Sequence, residues 1–242
     1  MKTLSVIVPV YNEMNTVSEI LNQISDVRIN LKMEVIIIND GSTDESLHQI
    51  NLFLSKERRF TDINYKLINK INEGKGSAVK KGISESSGEI ILIQDADLEY
   101  NPLDYQKLLD PIINGHKTVI YGSRLLGCSN NRHSNMLFYF GGIIVTKLTN
   151  FLYGSKLTDA PTCYKVFKSE VLKLCNHESK GFEWEPEVTA KLLRMGVDIG
   201  EVEISYNPRK VNEGKKINWL DGLKAIITLI KWRIKPVNAY FV

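Results

Sequence analysis

Two aspartates and a glutamate close one apolar run. In EIILIQDADLEY, Glu89 to Tyr100, Ile, Leu and Gln lead into Asp95 and Asp97, separated by one alanine, with Glu99 two places further on. If extended alternation continues through the run, Asp95 and Asp97 share a side. Like charges that close raise each other's pKa unless a cation lies between them. Hard divalent ions such as Mg2+ or Mn2+ take carboxylate oxygens and keep positions for phosphate oxygens. The triplet therefore suits a metal bridging a diphosphate, although acids capping the next helix would look the same.

Other polar clusters widen the chemistry. NDGSTD offers Asp40 as an acceptor for a base N–H or ribose hydroxyl, beside Gly41, where a ligand can approach the backbone. PVYNE offers Tyr11 as a flat face for a nucleobase and Glu13 as an acceptor. NEGKGSAVKKG places Lys75 where it could neutralise phosphate, but it matches neither GxxxxGK[ST] nor GxGxxG. A P-loop and a dinucleotide fingerprint are thereby excluded, and a nicotinamide oxidoreductase is disfavoured.

The elements that must hold these groups alternate. LSVIVPV (Leu4–Val10), EVIIIND (Glu34–Asp40), NYKLIN (Asn64–Asn69), EIILIQD (Glu89–Asp95) and TVIYGS (Thr118–Ser123) read as strands. Their nearly continuous apolar character fits parallel strands buried on both faces. Helical patterns at Thr16–Ser25, Glu45–Lys56, Gly76–Ser86 and Leu103–Asn114 separate them, with Ser42 and Thr43 as expected caps of the second. Strand–helix repetition predicts an α/β fold with an open, mostly parallel sheet. Ligands bind such sheets beyond the strands' carboxyl ends, where all five polar clusters fall. Further on, Pro186 to Met195 reads as a helix ended by Gly196.

Composition sets limits. The 242 residues carry a net charge of only +3, which gives no global pointer to nucleic acid. The charge is uneven: Asn207 to Lys235 holds eight Lys or Arg against Glu213 and Asp221, which suits a phosphate-bearing partner or an anionic membrane surface. Cys128, Cys163 and Cys175 form no CxxC pair, which argues for a reducing compartment and against structural zinc. No signal peptide is expected at the N-terminus. The longest apolar run, Leu137 to Tyr153, contains Lys147 and falls short of the ~20 residues that cross a bilayer.

In order, VIVPVYNE, IINDGSTD, NEGKGSAVKKGI, GEIILIQDADLEYNP, GSR, LTDAPTCYKVFK and GFEWEPEVTAK resemble family 2 glycosyltransferases of the GT-A fold. The resemblance is greatest to the dolichyl- or polyprenyl-phosphate mannosyl- and glucosyltransferase branch. It implies a single GT-A domain over 1–242, with a Rossmann-like nucleotide-sugar-binding half (1–125), helices on both sheet faces, and an acceptor half (126–242) ending in the basic tail. It further implies inverting transfer of a hexose from a nucleotide-diphospho-sugar of the GDP-mannose or UDP-glucose type. Pro9, Tyr11, Glu13 and Asp40 would surround the nucleoside, and Asp95, Asp97 and Glu99 the Mg2+ or Mn2+. Arg124, Arg209 and Lys215 match basic positions facing the diphosphate and the acceptor phosphate. Arg132 and Ser134 stand where the branch has acceptor contacts, and Asp159 is expected near the sugar or acceptor.

The chemistry is coherent on its own terms. A departing diphosphate gathers negative charge, which a metal with Lys or Arg stabilises increasingly as the bond breaks. A polyprenyl monophosphate, with its second pKa near ~6, is largely dianionic at neutral pH and needs no base. A hydroxyl acceptor would need one, for which Asp159, Glu183, Glu185 and Glu187 are candidates. Transfer to a hydroxyl of a glycan, lipid or small molecule, and a catalytically silent nucleotide-sugar binding module, are the alternatives. The expected location is cytoplasmic, peripheral on the membrane's cytoplasmic face or held by a membrane partner subunit.

Overall fold

The computed structural model describes residues 2–56, 63–127, 136–209, 214 and 216–236. Seven strands make one sheet: β1 (Thr3–Val10), β2 (Lys32–Asp40), β3 (Ile63–Lys70), β4 (Ile90–Ile93), β5 (Val119–Ser123), β6 (Lys165–Lys168) and β7 (Ile199–Glu203). Their spatial order is β3-β2-β1-β4-β6-β5-β7. β1 pairs in parallel with β2 and β4, β2 with β3, and β5 with β7. Only β6 runs antiparallel, between β4 and β5.

Helices α1 (Val17–Ser25), α2 (Ser46–Lys56), α3 (Lys75–Glu85) and α4 (Tyr105–Ile113) follow the first four strands, α4 after a 3-10 turn at Pro102–Asp104. Continuous apolar character in β2 serves two faces. Val35 and Ile37 join the main core with Ile20, Leu21 and Ile24 of α1, whereas Ile36 and Ile38 meet Ala78 of α3. Each aliphatic side chain buried this way contributes roughly 1.5–3 kcal/mol, so a strand polar on alternate positions could not hold the middle of this sheet.

The second half adds α5 (Met136–Tyr153), α6 (Ser169–Cys175), α7 (Trp184–Arg194) and α8 (Trp219–Ile234). A smaller cluster of Val145, Ala190, Leu229 and Trp232 ties α5, α7 and α8 together. Asn218 and Asp221 form a capping box at the start of α8, satisfying donors that the first helical turn leaves open. Among the described residues no helix is long and apolar enough to cross a membrane.

Two local expectations change. β4 ends at Ile93, so Asp95 and Asp97 stand in the turn beyond it and strand alternation is not what brings them together. Helix α2 begins at Ser46, whose backbone N–H donates to Asp44 Oδ1 (2.9 Å). Ser42 and Thr43 are not its caps: Ser42 Oγ accepts from the Asn12 N–H (3.1 Å), and the Thr43 N–H donates to Asn12 Oδ1 (2.8 Å), which stitches the loops after β1 and β2 together.

Candidate active site

Parallel pairing puts the carboxyl ends of β1, β2, β3, β4, β5 and β7 on one edge of the sheet. Because β6 runs the other way, the segment preceding it, 157–164, reaches the same edge. The rim thus gathers residues far apart in sequence: Tyr11 and Glu13, Asp40, Lys75, Asp95 to Glu99, Arg124, Asp159 and Arg209.

The acidic triplet meets cations of the chain itself. Lys75 Nζ lies 2.8 Å from Asp95 Oδ2 and 2.8 Å from Glu185 Oε1. Arg209 Nη2 donates to Asp97 Oδ2 (3.1 Å) and Glu13 Oε1 (3.3 Å), and Nη1 to Glu13 Oε2 (3.0 Å). Burial, and the negative charges of Asp95 and Glu99, push the Asp97 carboxyl up to about 7. Gln94 sits behind the triplet, fully buried, and its Oε1 accepts from Tyr105 (2.9 Å) and Tyr164 (2.6 Å). A polar group so satisfied in the core anchors the turn that carries Asp95.

Glu99 departs from the expected ligand set. Its Oε2 accepts from the Tyr206 hydroxyl (3.0 Å) and its Oε1 from the Arg209 backbone N–H (3.0 Å). Among the described residues no three His, Cys, Asp or Glu side chains form a metal-holding group. Glu99 fastens the segment after β7 instead. Asp95 and Asp97 do fit a hard divalent ion: two carboxylates at one rim, one of them made reluctant to ionise by burial and by its acidic neighbours.

Asp40, at the end of β2, is buried and accepts from Lys70 Nζ (2.6 Å), the Glu73 N–H (3.2 Å) and the Gly74 N–H (2.8 Å). Most of its lone-pair capacity therefore shapes the loop after β3. Tyr11 is exposed, with Lys216 Nζ 5.8 Å from its ring centroid, and Pro9 lies half-buried near the end of β1. The Lys216 Nζ also donates to Glu13 Oε1 (2.6 Å) and to the Tyr11 carbonyl. Lysine at this rim was expected at position 215, which lies outside the described residues, as do Arg132 and Ser134.

Arg124 and Asp159 form a two-pronged pair: Nε to Oδ2 at 2.6 Å and Nη2 to Oδ1 at 2.7 Å, with the Arg124 backbone N–H on Oδ2 at 3.0 Å. Burial alone would raise the Asp159 carboxyl, but the Arg124 charge and these bonds outweigh it and hold the pKa below the usual range. Glu201 on β7 receives the backbone N–H groups of Thr158 (2.7 Å) and Asp159 (2.9 Å). Lys165, fully buried, donates to the carbonyls of Ala160 (3.0 Å) and Thr162 and lies 4.2 Å over the Tyr121 ring; burial pulls it down to about 8. The 157–164 segment is thus clamped from both sides. Glu201, Lys165 and Tyr206 escaped the sequence reading, although a charge inside YKVFK and a tyrosine inside ISYNPR were available signals.

The amino end of α3 is already used. The Gly76 N–H donates to the Gly181 carbonyl (3.2 Å) and the Ser77 N–H to that of Lys180 (2.9 Å). At Gly74, φ is +99° and a Cβ would come within 2.7 Å of the Lys180 oxygen, so only glycine fits. Lys75 reaches the rim by its side chain alone. Of the glutamates on α7, Glu187 is fully buried and accepts from the N–H groups of Glu178 and Ser179 (both 2.8 Å) and from Lys191 Nζ (2.7 Å), a structural role that removes it as a base. Glu185 faces Lys75 at the rim.

The fold and this rim have known counterparts. A family model described as glycosyl transferase family 2 matches residues 5–175. The dolichol-phosphate mannosyltransferase of Pyrococcus furiosus is 32% identical over 244 residues, covering 95% of this chain and 64% of its own. The UDP-N-acetylglucosamine–dolichyl-phosphate N-acetylglucosaminyltransferase of Methanococcus voltae is 24% identical, with 98% of both chains covered. Glucosyl-3-phosphoglycerate synthase of Mycobacterium tuberculosis, solved with Mn2+, UDP and phosphoglyceric acid, superposes with a TM-score of 0.73 at 18% identity, over 98% of this chain and 80% of that one. The sheet is that of the GT-A fold, and the chain belongs to glycosyl transferase family 2.

Proposed function

We propose that the protein transfers a hexose, with inversion, from a nucleotide-diphospho-sugar to a polyprenyl phosphate, using Mg2+ or Mn2+ held by Asp95 and Asp97. The observation that carries this reading is the pairing of those carboxylates with the cations Lys75 and Arg209, on the rim that also holds the Arg124–Asp159 pair. A divalent ion there would neutralise charge on the departing diphosphate. Lys75 and Arg209 add positive charge beside it, and Tyr11 offers the base a stacking face. Glu13 and Asp40 build the nucleoside side. Structural neighbours with Mn2+ or Mg2+ and UDP share the fold, which supports a metal here.

The acceptor reading rests on what two carboxylates already do. Asp159 is locked to Arg124 and Glu187 is buried in backbone bonds, so neither is positioned to take a proton from an attacking hydroxyl. A phosphate acceptor needs no such base, and relatives named for dolichyl phosphate point the same way. Transfer to a hydroxyl would fall to Glu183 or Glu185. Purified protein given GDP-mannose, UDP-glucose and related donors, with Mn2+ and either polyprenyl phosphate or glycan acceptors, tests both. Metal-dependent product on the lipid phosphate is expected; product only on hydroxyls would discard the proposal.

Helix α8 supports work at a membrane surface, which we place at the cytoplasmic face. Trp219, Leu220, Leu223, Ile227, Ile230 and Ile234 are all exposed. At ~100° per residue they fall within one ~100° arc, flanked by Lys224, Lys231 and Arg233. Such a stripe buries itself at a lipid interface while the cations meet anionic headgroups. The double variant Ile227→Glu/Ile230→Glu is expected to lose at least about fivefold in cosedimentation with anionic vesicles and to keep its thermal melt. Unchanged cosedimentation would remove α8 from the membrane contact.

A further inference from the structure

We propose that Arg209 is the resident counter-cation of the acidic rim when no metal is bound, and that a divalent ion enters by displacing its guanidinium from Asp97. This rests on the metal-dependent reading above. One guanidinium here serves carboxylates from two distant loops: Glu13 after β1, and Asp97 and Glu99 after β4. All four side chains are largely withdrawn from water, with exposures between 9% and 17%. Carboxylates gathered in that setting require a positive partner, and Arg209 supplies it from the chain itself.

The fit is nevertheless incomplete. Arg209 Nε is buried without a hydrogen-bond acceptor among the described residues, and the nearest Glu99 oxygen is 3.9 Å away. A planar fork with fixed donor directions cannot meet carboxylates arriving from several sides, whereas a metal ion can. The main chain is also prepared for the exchange. Glu99 holds the backbone N–H of Arg209 (3.0 Å) through its side chain and that of Asn207 (2.9 Å) through its carbonyl. The segment can stay docked while the Arg209 side chain alone rotates away, free to meet phosphate oxygens of the donor. The resident cation thereby becomes a phosphate ligand once the metal has taken its place.

Lys216 provides the contrast, since it neutralises Glu13 but touches neither Asp97 nor Glu99. Mn2+ titrated into nucleotide-free protein, with free Mn2+ read by electron paramagnetic resonance, distinguishes the two roles. Arg209→Met is expected to bind Mn2+ at least about tenfold more tightly than wild type, Arg209→Lys about threefold, and Lys216→Met within about twofold of wild type. Affinity unchanged or weakened in Arg209→Met overturns the displacement, as does equal tightening in Lys216→Met, which would reflect net charge alone. Should Arg209→Met fail to fold by circular dichroism, Arg209→Lys decides, and unchanged affinity there overturns the proposal. Mn2+ binding to none of the four proteins would sink the metal reading itself, and the displacement with it.

Discussion

Asp97→Asn is expected to reduce sugar transfer by roughly 10³-fold while making the metal-free protein more stable at neutral pH. Asparagine keeps the shape and removes the charge that a metal needs. Its effect on stability follows from the raised pKa of Asp97, whose causes are burial first and the charges of Asp95 and Glu99 second. Well below pH 3.8 this carboxyl is protonated in folded and unfolded chains alike and contributes no difference. Between the model-peptide value of 3.8 and about 7, the unfolded chain releases a proton that the folded chain retains. Wild-type stability therefore falls as pH rises through that window and levels off above it. Asparagine has no such titration, so the advantage of the variant grows from pH 4 to 7, on the order of 2–4 kcal/mol. Urea unfolding in chelator at pH 4, 5.5 and 7.5 measures it. A variant less stable than wild type at pH 7.5 would mean that the Arg209 contact outweighs the repulsion.

Breaking the Arg124–Asp159 pair should act in the opposite direction on stability. Asp159→Ala leaves a guanidinium that was bonded through both Nε and Nη2 without its partner, and the Arg124 backbone N–H without its acceptor. Removing one member of a buried pair costs about 3–5 kcal/mol, and the partial exposure of Arg124 places this case near the lower figure. The stabilisation conferred by Asp159 is present above pH 3.8 and lost as pH falls through its depressed folded value. The gap between wild type and Asp159→Ala should accordingly close in acid. Turnover should fall as well, since Arg124 loses the support that aims it at the rim. A double-mutant cycle with Arg124→Met checks the pairing: the coupling should reach about 1.5–3 kcal/mol, and additive losses would show that the two side chains act separately.

The sheet and the rim were readable from local patterns because their causes are local. Runs such as VIVPV and EVIII are apolar on both alternations, which suits a strand covered on two faces, and a polar loop follows each. Parallel order then sends those loops to one edge without further information. The direction of β6 was not readable: KVFK is four residues long, and only its pairing with β4 and β5 turns it round and brings Asp159 to the rim. The roles of Glu185 and Glu187 show the same limit. Two residues apart on a helix, they point about 200° from each other, so one reaches Lys75 and the other the core. Composition cannot say which, because the answer depends on how α7 is rotated against the sheet and α8. Likewise Lys216 and Arg209 cover Glu13, and Glu99 braces the segment after β7, because contacts across more than a hundred residues decide where each charge finds its partner. The sequence alone determined the fold class, the family and the edge where chemistry gathers; tertiary packing decided which carboxylates stay available for it and which are spent on holding the structure.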